Sequence, residues 1–223
     1  MHQRKSKKVL IYFFLLFLVG SINNIELNNI NFDKIKNIEI KGLEERNNLV
    51  LLKELKKLNL GNIFIINKTE ISNQIKSNNL VEEFKVFKRY PSSLDIDIKK
   101  TKFLAKVNYR GKIMLIGSNG KLSSNDFSTN QLPFIFGKLD MFEFLKIKKT
   151  IDESRFSYDE IKNLFFFSSK RWDIELKNNV MIKLSKYHTK ESLEIAFEFL
   201  HDSNFRDIKI IDARIKNQII TND

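Results

Sequence analysis

The sequence predicts an α+β protein: an N-terminal transmembrane helix, a small β-α-α-β-β domain, then a mostly antiparallel β domain with flanking helices. Three observations predict it. A basic cluster (Arg4, Lys5, Lys7, Lys8) runs directly into the unbroken apolar stretch 9–22. Between residues 34 and 101, apolar periods of two and of about 3.6 follow one another in the order strand, helix, helix, strand, strand. From residue 102 onward, short alternating segments are punctuated by Gly, Asn and Pro.

Lys and Arg stay on the cytoplasmic side of a membrane, so residues 1–8 read as a cytoplasmic tail and everything after the apolar stretch as exported. The stretch has about 14 residues, roughly 21 Å of helix, whereas a hydrocarbon core of about 30 Å usually asks for about 20 residues. Length alone favours a signal-peptide core, and Val19-Gly20-Ser21 offers small residues near a cleavage point. Density in Leu and Phe, and the lack of an A-x-A pattern, favour an anchor seated by bilayer thinning and by snorkelling of Lys7 and Lys8. The residues by themselves leave both open.

Composition bounds the rest. The chain has 223 residues, 42% of them hydrophobic, enough for packed structure rather than disorder. It has no cysteine, so stability must come from packing and sheet hydrogen bonds. The formal net charge of +12 is dominated by Lys, alongside abundant Asn and Ile. A solvated Lys-rich surface accounts for it better than a nucleic-acid or anionic-lipid partner. Enzyme readings are weak. His2, His188 and His201 lack metal-ligand spacing, and no G-x-S-x-G, H-E-x-x-H or P-loop pattern occurs. Glu82-Glu83 and Asp152-Glu153 read as solvated loop charges, and Gly117-Ser118-Asn119-Gly120 as a turn rather than a phosphate cradle. No catalytic, metal or cofactor residue is expected.

Taken in order, 23–33 is an Asn-rich linker, and 34–42 is a strand that stops at Gly42. Asn47 or Asn48 caps a helix to about residue 58 with Leu49, Leu52, Leu55 and Leu58 in one stripe. Asn67 or Thr69 opens a second helix carrying Ile71 and Ile75. Strands follow at 83–90 and 93–101, the latter with Leu94, Ile96 and Ile98 on one face. In the remainder, 102–223, Arg110-Gly111 turns a hairpin, and Leu132-Pro133 opens a loop. Residues 140–149 form a helix with Met141, Phe142 and Leu145 inward. Trp172, Ile174 and Leu176 share a strand face, and Asn178-Asn179 turns into a returning strand with Val180, Ile182 and Leu184. Thr189 caps a helix with Leu193, Ala196, Phe197 and Leu200 inward, and 209–220 ends the chain as one or two strands.

These residues carry a resemblance. Ile38-Glu39-Ile40-Lys41-Gly42, Gly61-Asn62-Ile63-Phe64, Leu80-Val81 and Lys88-Arg89-Tyr90-Pro91-Ser92-Ser93-Leu94 resemble a POTRA domain. One such copy follows a signal anchor, and Gly117-Ser118-Asn119-Gly120, Leu132-Pro133, Arg171-Trp172-Asp173-Ile174-Glu175-Leu176 and Ile211-Asp212-Ala213-Arg214 come after it. That series resembles the FtsQ/DivIB cell-division family. The resemblance implies a non-enzymatic inner-membrane scaffold at the septum, with its anchor retained and its POTRA and β domains in the periplasm. It implies partners of the FtsB and FtsL type, docked by strand addition to the last strand, and other divisome proteins met through the POTRA domain.

Carried onto this chain, the docking strand falls on Arg214, Ile215, Lys216, Asn217, Gln218, Ile219 and Ile220, with Arg214 placed to pair with an acidic partner residue and Arg171 a second candidate. Ile215 stands where the family often has an aromatic, and the chain stops at Asp223, before the Trp-containing tail of some members, so the resemblance implies a shorter strand and a smaller interface. The runner-up readings are a POTRA-bearing secretion or outer-membrane assembly factor, which would need a barrel that has no room here, and an envelope enzyme released by signal cleavage.

Overall fold

Two separate apolar clusters, each built on its own β-sheet, organise the protein. The computed structural model describes residues 7–22, 33–124, 131–202, 208–216 and 218–222. Helix α1 (Lys7–Ile22) is apolar all round, and its side chains from Val9 to Val19 are exposed, so nothing among the described residues covers it. Its 16 residues extend roughly 24 Å at the helical rise. The expected membrane segment is thus helical, but among the described residues no helix is long and apolar enough to cross a membrane.

The N-terminal unit comprises β1 (Asn37–Lys41), α2 (Glu45–Lys56), α3 (Lys68–Ser77), β2 (Val81–Arg89) and β3 (Ser93–Lys100), in the sheet order β1-β3-β2. Leu94, Ile96 and Ile98 alternate inward on β3 and bury against Leu51, Leu55, Ile71 and Ile75 of the two helices. Asn67 caps α3, its side chain accepting from the Glu70 amide at 3.2 Å. Helix α2 departs from expectation. Its N-cap is Glu44, and Leu49 is 51% exposed while Leu51 and Leu55 are buried. A strict three-residue spacing drifts about 60° per step around a helix of 3.6 residues per turn, so the four leucines cannot all face one sheet. Gly42 leaves β1 at φ 106°, where a Cβ would stand 1.7 Å from the Ile98 carbonyl oxygen.

The second unit is a nine-stranded sheet, order β12-β11-β10-β9-β8-β7-β4-β5-β6. Its strands are β4 (Phe103–Tyr109), β5 (Lys112–Gly117), β6 (Leu122–Ser124), β7 (Phe134–Phe136), β8 (Ile161–Phe166), β9 (Trp172–Leu176), β10 (Met181–Leu184), β11 (Ile210–Ala213) and β12 (Ile220–Asn222). Helices α4 (Met141–Asp152) and α5 (Thr189–Leu200) make the crossovers between the parallel neighbours β7–β8 and β10–β11. Cross-strand register sets Val107, Ile135, Leu164, Ile174, Ile182 and Ile211 in one row, and all belong to the cluster that the helices cover.

The β4–β5 hairpin turns at Arg110 and Gly111, both at positive φ, and Asn179 takes φ 66° between β9 and β10, as their sequences predict. The buried face of α4 is Phe144, Ile147 and Ile151, with Met141 and Leu145 partly covered, whereas Phe142, expected inward, is 74% exposed. Its cap, Asp140, accepts from the amides of Phe142 and Glu143, and so turns residue 142 outward. Thr189 is not the cap of α5. That position is His188, and the Thr189 hydroxyl donates to the Ser185 carbonyl at 2.9 Å.

A polar clasp joins the two units. The Asn119 side chain donates to the carbonyls of Asn79 and Val81, both at 2.9 Å, and Asn79 donates back to the Leu122 carbonyl at 2.8 Å. Glu82 accepts from the hydroxyls of Thr101 and Ser118. Glu82 is therefore no solvated loop charge but a β2 residue fixed between the units. Its neighbour Glu83 does face solvent, paired with Lys99, and Asp152 closes α4 on Lys148.

Candidate partner interface

Of the residues expected to meet a partner, Arg171, Arg214 and Ile220 lie on the face of the nine-stranded sheet that the helices leave open. Register again fixes the arrangement. Phe136, Phe165, Asp173, Lys183, Asp212 and Ile220 stand directly opposite one another on successive strands from β7 to β12. Opposed residues point to the same side of a sheet. This open-face row therefore passes from aromatic, with Phe136 stacked on Phe165 at 5.0 Å, through alternating charge, to an isoleucine on the edge strand.

Arg171 and Arg214, 43 positions apart in the sequence, are both drawn to the charged middle of that row. Arg171 donates to both carboxylate oxygens of Asp173, at 3.1 and 3.3 Å, and its guanidinium lies 4.3 Å from the centre of the Phe167 ring. Arg214 grips Asp212 with Nε at 2.7 and 2.9 Å and Nη2 at 2.5 Å, and its own amide donates to the same carboxylate at 3.2 Å. The two acids differ in environment. Burial pushes the Asp173 carboxyl upward, against the pull of Arg171, Lys183 and Arg214. For Asp212 burial acts the same way but is outweighed by the hydrogen bonds and charge of Arg214, with Lys183 behind it, so this carboxyl sits below its usual range. The Arg214 guanidinium, held by Asp212, is raised in turn.

The expected docking strand over 214–220 is corrected by the backbone. The Gln218 amide donates to the Ile215 carbonyl at 3.2 Å, closing a turn that brings β12 back antiparallel to β11. Arg214, Ile215, Lys216 and Gln218 lie in that connection and are exposed, and Ile219 packs against the core. Asn217 lies outside the described residues. Only Ile220 of the expected set is in β12, which runs on through Thr221 to Asn222. Among the described residues β12 pairs on one side only, and Ile220 is 56% exposed. Trp172, flanking Arg171, is a core aromatic against Phe166.

Sequence reasoning missed Asp173, Lys183 and Asp212 as members of the site. The signal was present as charged residues at outward positions of each strand, in W-D-I-E-L, M-I-K-L and I-I-D-A. Without the pairing register, nothing tied these three residues together.

Comparison with known proteins agrees with the family resemblance. Residues 33–100 match the family model described as POTRA domain, FtsQ-type. The chain is 25% identical over 189 residues to the cell division protein FtsQ of Rickettsia bellii, covering 83% of this chain and 70% of that one. It is 24% identical over the same shares to FtsQ of Rickettsia felis. It is 29% identical over 106 residues to the cell division protein DivIB of Staphylococcus aureus strain NCTC 8325, covering 47% of this chain and 24% of that one. The major extracytoplasmic domain of DivIB from Geobacillus stearothermophilus aligns with 48% of this chain and 98% of its own, at 13% identity and a TM-score of 0.34, too low to equate the two folds.

Proposed function

We propose that this chain, which is similar to FtsQ and DivIB cell-division proteins, is a non-enzymatic divisome scaffold that works by binding. In this reading residues 9–22 of α1 hold it in the inner membrane, with residues 1–8 cytoplasmic and the two folded units in the periplasm at the septum. The short helix is seated by local thinning and by Lys7 and Lys8 at its cytoplasmic end. FtsB- and FtsL-type partners add a strand to β12, whose outer backbone groups need hydrogen-bond partners. An acidic residue on the partner meets Arg214, exchanging with or sharing the Asp212 carboxylate. The POTRA unit recruits other divisome proteins.

The observation that carries this reading is the exposed edge strand β12 beside the half-exposed, preoriented guanidinium of Arg214. The test is binding of the full chain, reconstituted in nanodiscs, to the periplasmic segments of the same organism's FtsB and FtsL. Native protein is expected to bind. Removal of residues 220–223 should abolish binding while leaving the circular dichroism unchanged, and Arg214→Glu should weaken it by about tenfold or more, the equivalent of roughly 1.4 kcal/mol. Equal binding by the truncated chain would exclude strand addition at β12.

A further inference from the structure

A second surface, on the three-stranded unit, is neither core nor part of the β12 site. The chain enters its first folded unit along the loop 61–66 and the turn 90–92. Lys34 bridges to Asn62, the Ile35 amide donates to the Gly61 carbonyl at 3.0 Å, and the Lys36 amide donates to the Ser92 carbonyl at 2.9 Å. At this same tip Phe64, Ile65 and Tyr90 are 54%, 80% and 61% exposed, and the two aromatic rings lie 5.4 Å apart.

The tip is held in shape. The Asn62 side chain accepts from the amides of Phe64 and Ile65 at 3.0 and 3.1 Å, Ile63 is fully buried beneath them, and Lys88 Nζ donates to the Ile63 carbonyl at 2.5 Å. Single exposed apolar side chains are ordinary on a protein surface. Three together on a pinned loop are not explained by packing. Around them Lys34, Lys36, Lys68, Lys88 and Arg89 outnumber Asp33, Glu70 and Asp95, and two of those acids are already paired, with Lys36 and Arg89.

Where the chain comes from identifies the occupant. Only residues 23–32 separate this tip from the apolar helix α1, and ten residues fully extended reach no more than about 35 Å. We propose that Phe64, Ile65 and Tyr90 seat in the headgroup layer of the membrane that holds α1, with the surrounding lysines and Arg89 meeting anionic headgroups. Aromatic rings prefer that layer, and lysine stems extend along apolar surface while their ammonium groups stay in water. The contact would fix the distance and tilt of the folded units relative to the bilayer. It rests on the membrane reading of α1 given above.

The chain has no cysteine, so single labels can be placed at will. Full-length Ile65→Cys, Phe14→Cys and Tyr187→Cys, each carrying a fluorophore, would be reconstituted in phosphatidylethanolamine–phosphatidylglycerol vesicles containing a lipid-borne quencher. Tyr187 is an exposed position in the second unit and serves as the aqueous reference. Quenching at 65 and at 14, each several-fold above that at 187, is the expected result. Quenching at 14 with none at 65 overturns the tip contact and leaves the anchor standing. Absence of quenching at 14 overturns the anchor and, with it, the tip contact that rests on it. Adding Phe64→Ser and Tyr90→Ser to the Ile65→Cys protein should lower its quenching to the level at 187. An unchanged signal in that variant, with native circular dichroism, would overturn the assignment to these side chains.

Discussion

Three ion pairs in this protein have the same covalent spacing, two residues apart on a strand or its flank, yet they stand in different surroundings. Lys41–Glu39, on the edge strand β1 of the three-stranded sheet, has side chains 65% and 50% exposed. Arg171–Asp173 and Arg214–Asp212, on the nine-stranded sheet, have acids only 6% and 12% exposed. The neighbours make the difference. β9 and β11 each have a strand on both sides, and Phe165 stands opposite Asp173, whereas among the described residues β1 pairs only with β3. The cations differ as well. A planar guanidinium matches a carboxylate through two parallel donors and keeps that geometry when desolvated, which an ammonium on a flexible stem does not. Spacing alone therefore says little about what an ion pair does. Enclosure by neighbouring strands turns an ordinary surface pair into a fixed, directional feature.

The largest expected effects test whether the two sheets are separate folding units. Gly42 and Gly137 occupy equivalent places, each leaving a strand that runs parallel to its neighbour, each at φ 106°. A Cβ would meet the Ile98 carbonyl oxygen at 1.7 Å in one case and the Phe166 carbonyl oxygen at 2.1 Å in the other. Gly42→Ala and Gly137→Ala should each cost about 3 kcal/mol or more, at or above the upper end for backbone strain because a carbonyl must also move. Hydrogen exchange should rise over β1–β3 alone in the first variant and over β7–β9 alone in the second. Exchange rising in both sheets would mean that the Asn119 and Glu82 clasp makes them one cooperative unit.

A smaller effect separates the enclosed pair from the exposed one. Arg171→Ala leaves Asp173 buried without its bidentate partner, and breaking such a pair costs up to about 3 kcal/mol, reduced here because Lys183 and Arg214 still act on the acid. Lys41→Ala should leave the thermal midpoint unchanged within error. Equal effects in the two variants would remove the distinction drawn between the two sheets.

The N-terminal unit was legible because its contacts are nearly sequential. β2 and β3 are adjacent in the chain, Asn67 marks its own helix start, and the alternation of Leu94, Ile96 and Ile98 reports directly on the buried face. The second sheet was less so. β6 and β7 are three residues each, too short to show a period of two, and β7 inserts between β4 and β8 as a parallel neighbour to both. The hairpins at Arg110-Gly111 and Asn178-Asn179 were readable from turn chemistry. The charged row was not, since it exists only once several strands have taken their register. The same limit explains the misplaced docking strand. Alternation around Ile215 and Ile219 looks like a strand until Asp212 claims the Arg214 amide and the chain turns.

The smallest predicted effect lies in the pH dependence of stability, where the two enclosed acids act in opposite directions. Asp212 has its carboxyl lowered in the folded protein, so its contribution is present above the unfolded value and is lost as pH falls through the folded one. Asp173 has its carboxyl raised, so between the unfolded and folded values the native state binds more protons than the unfolded chain, and stability rises as pH falls through the raised value. In the native protein the two slopes occupy different windows, that of Asp212 below the ordinary carboxylate value and that of Asp173 above it. Asp212→Asn should therefore be less stable than native near pH 7, with the deficit holding down to about pH 4 and closing only as pH falls further through the lowered folded value. Asp173→Asn should gain relative to native near neutral pH and lose that advantage on acidification. Glu39, lowered chiefly by its hydrogen bond to Lys41, faces water, and Glu39→Gln should leave the profile of thermal midpoint against pH unchanged. A Glu39→Gln profile that shifted as far as that of Asp212→Asn would show that enclosure by neighbouring strands is not what gives the second sheet its electrostatic character.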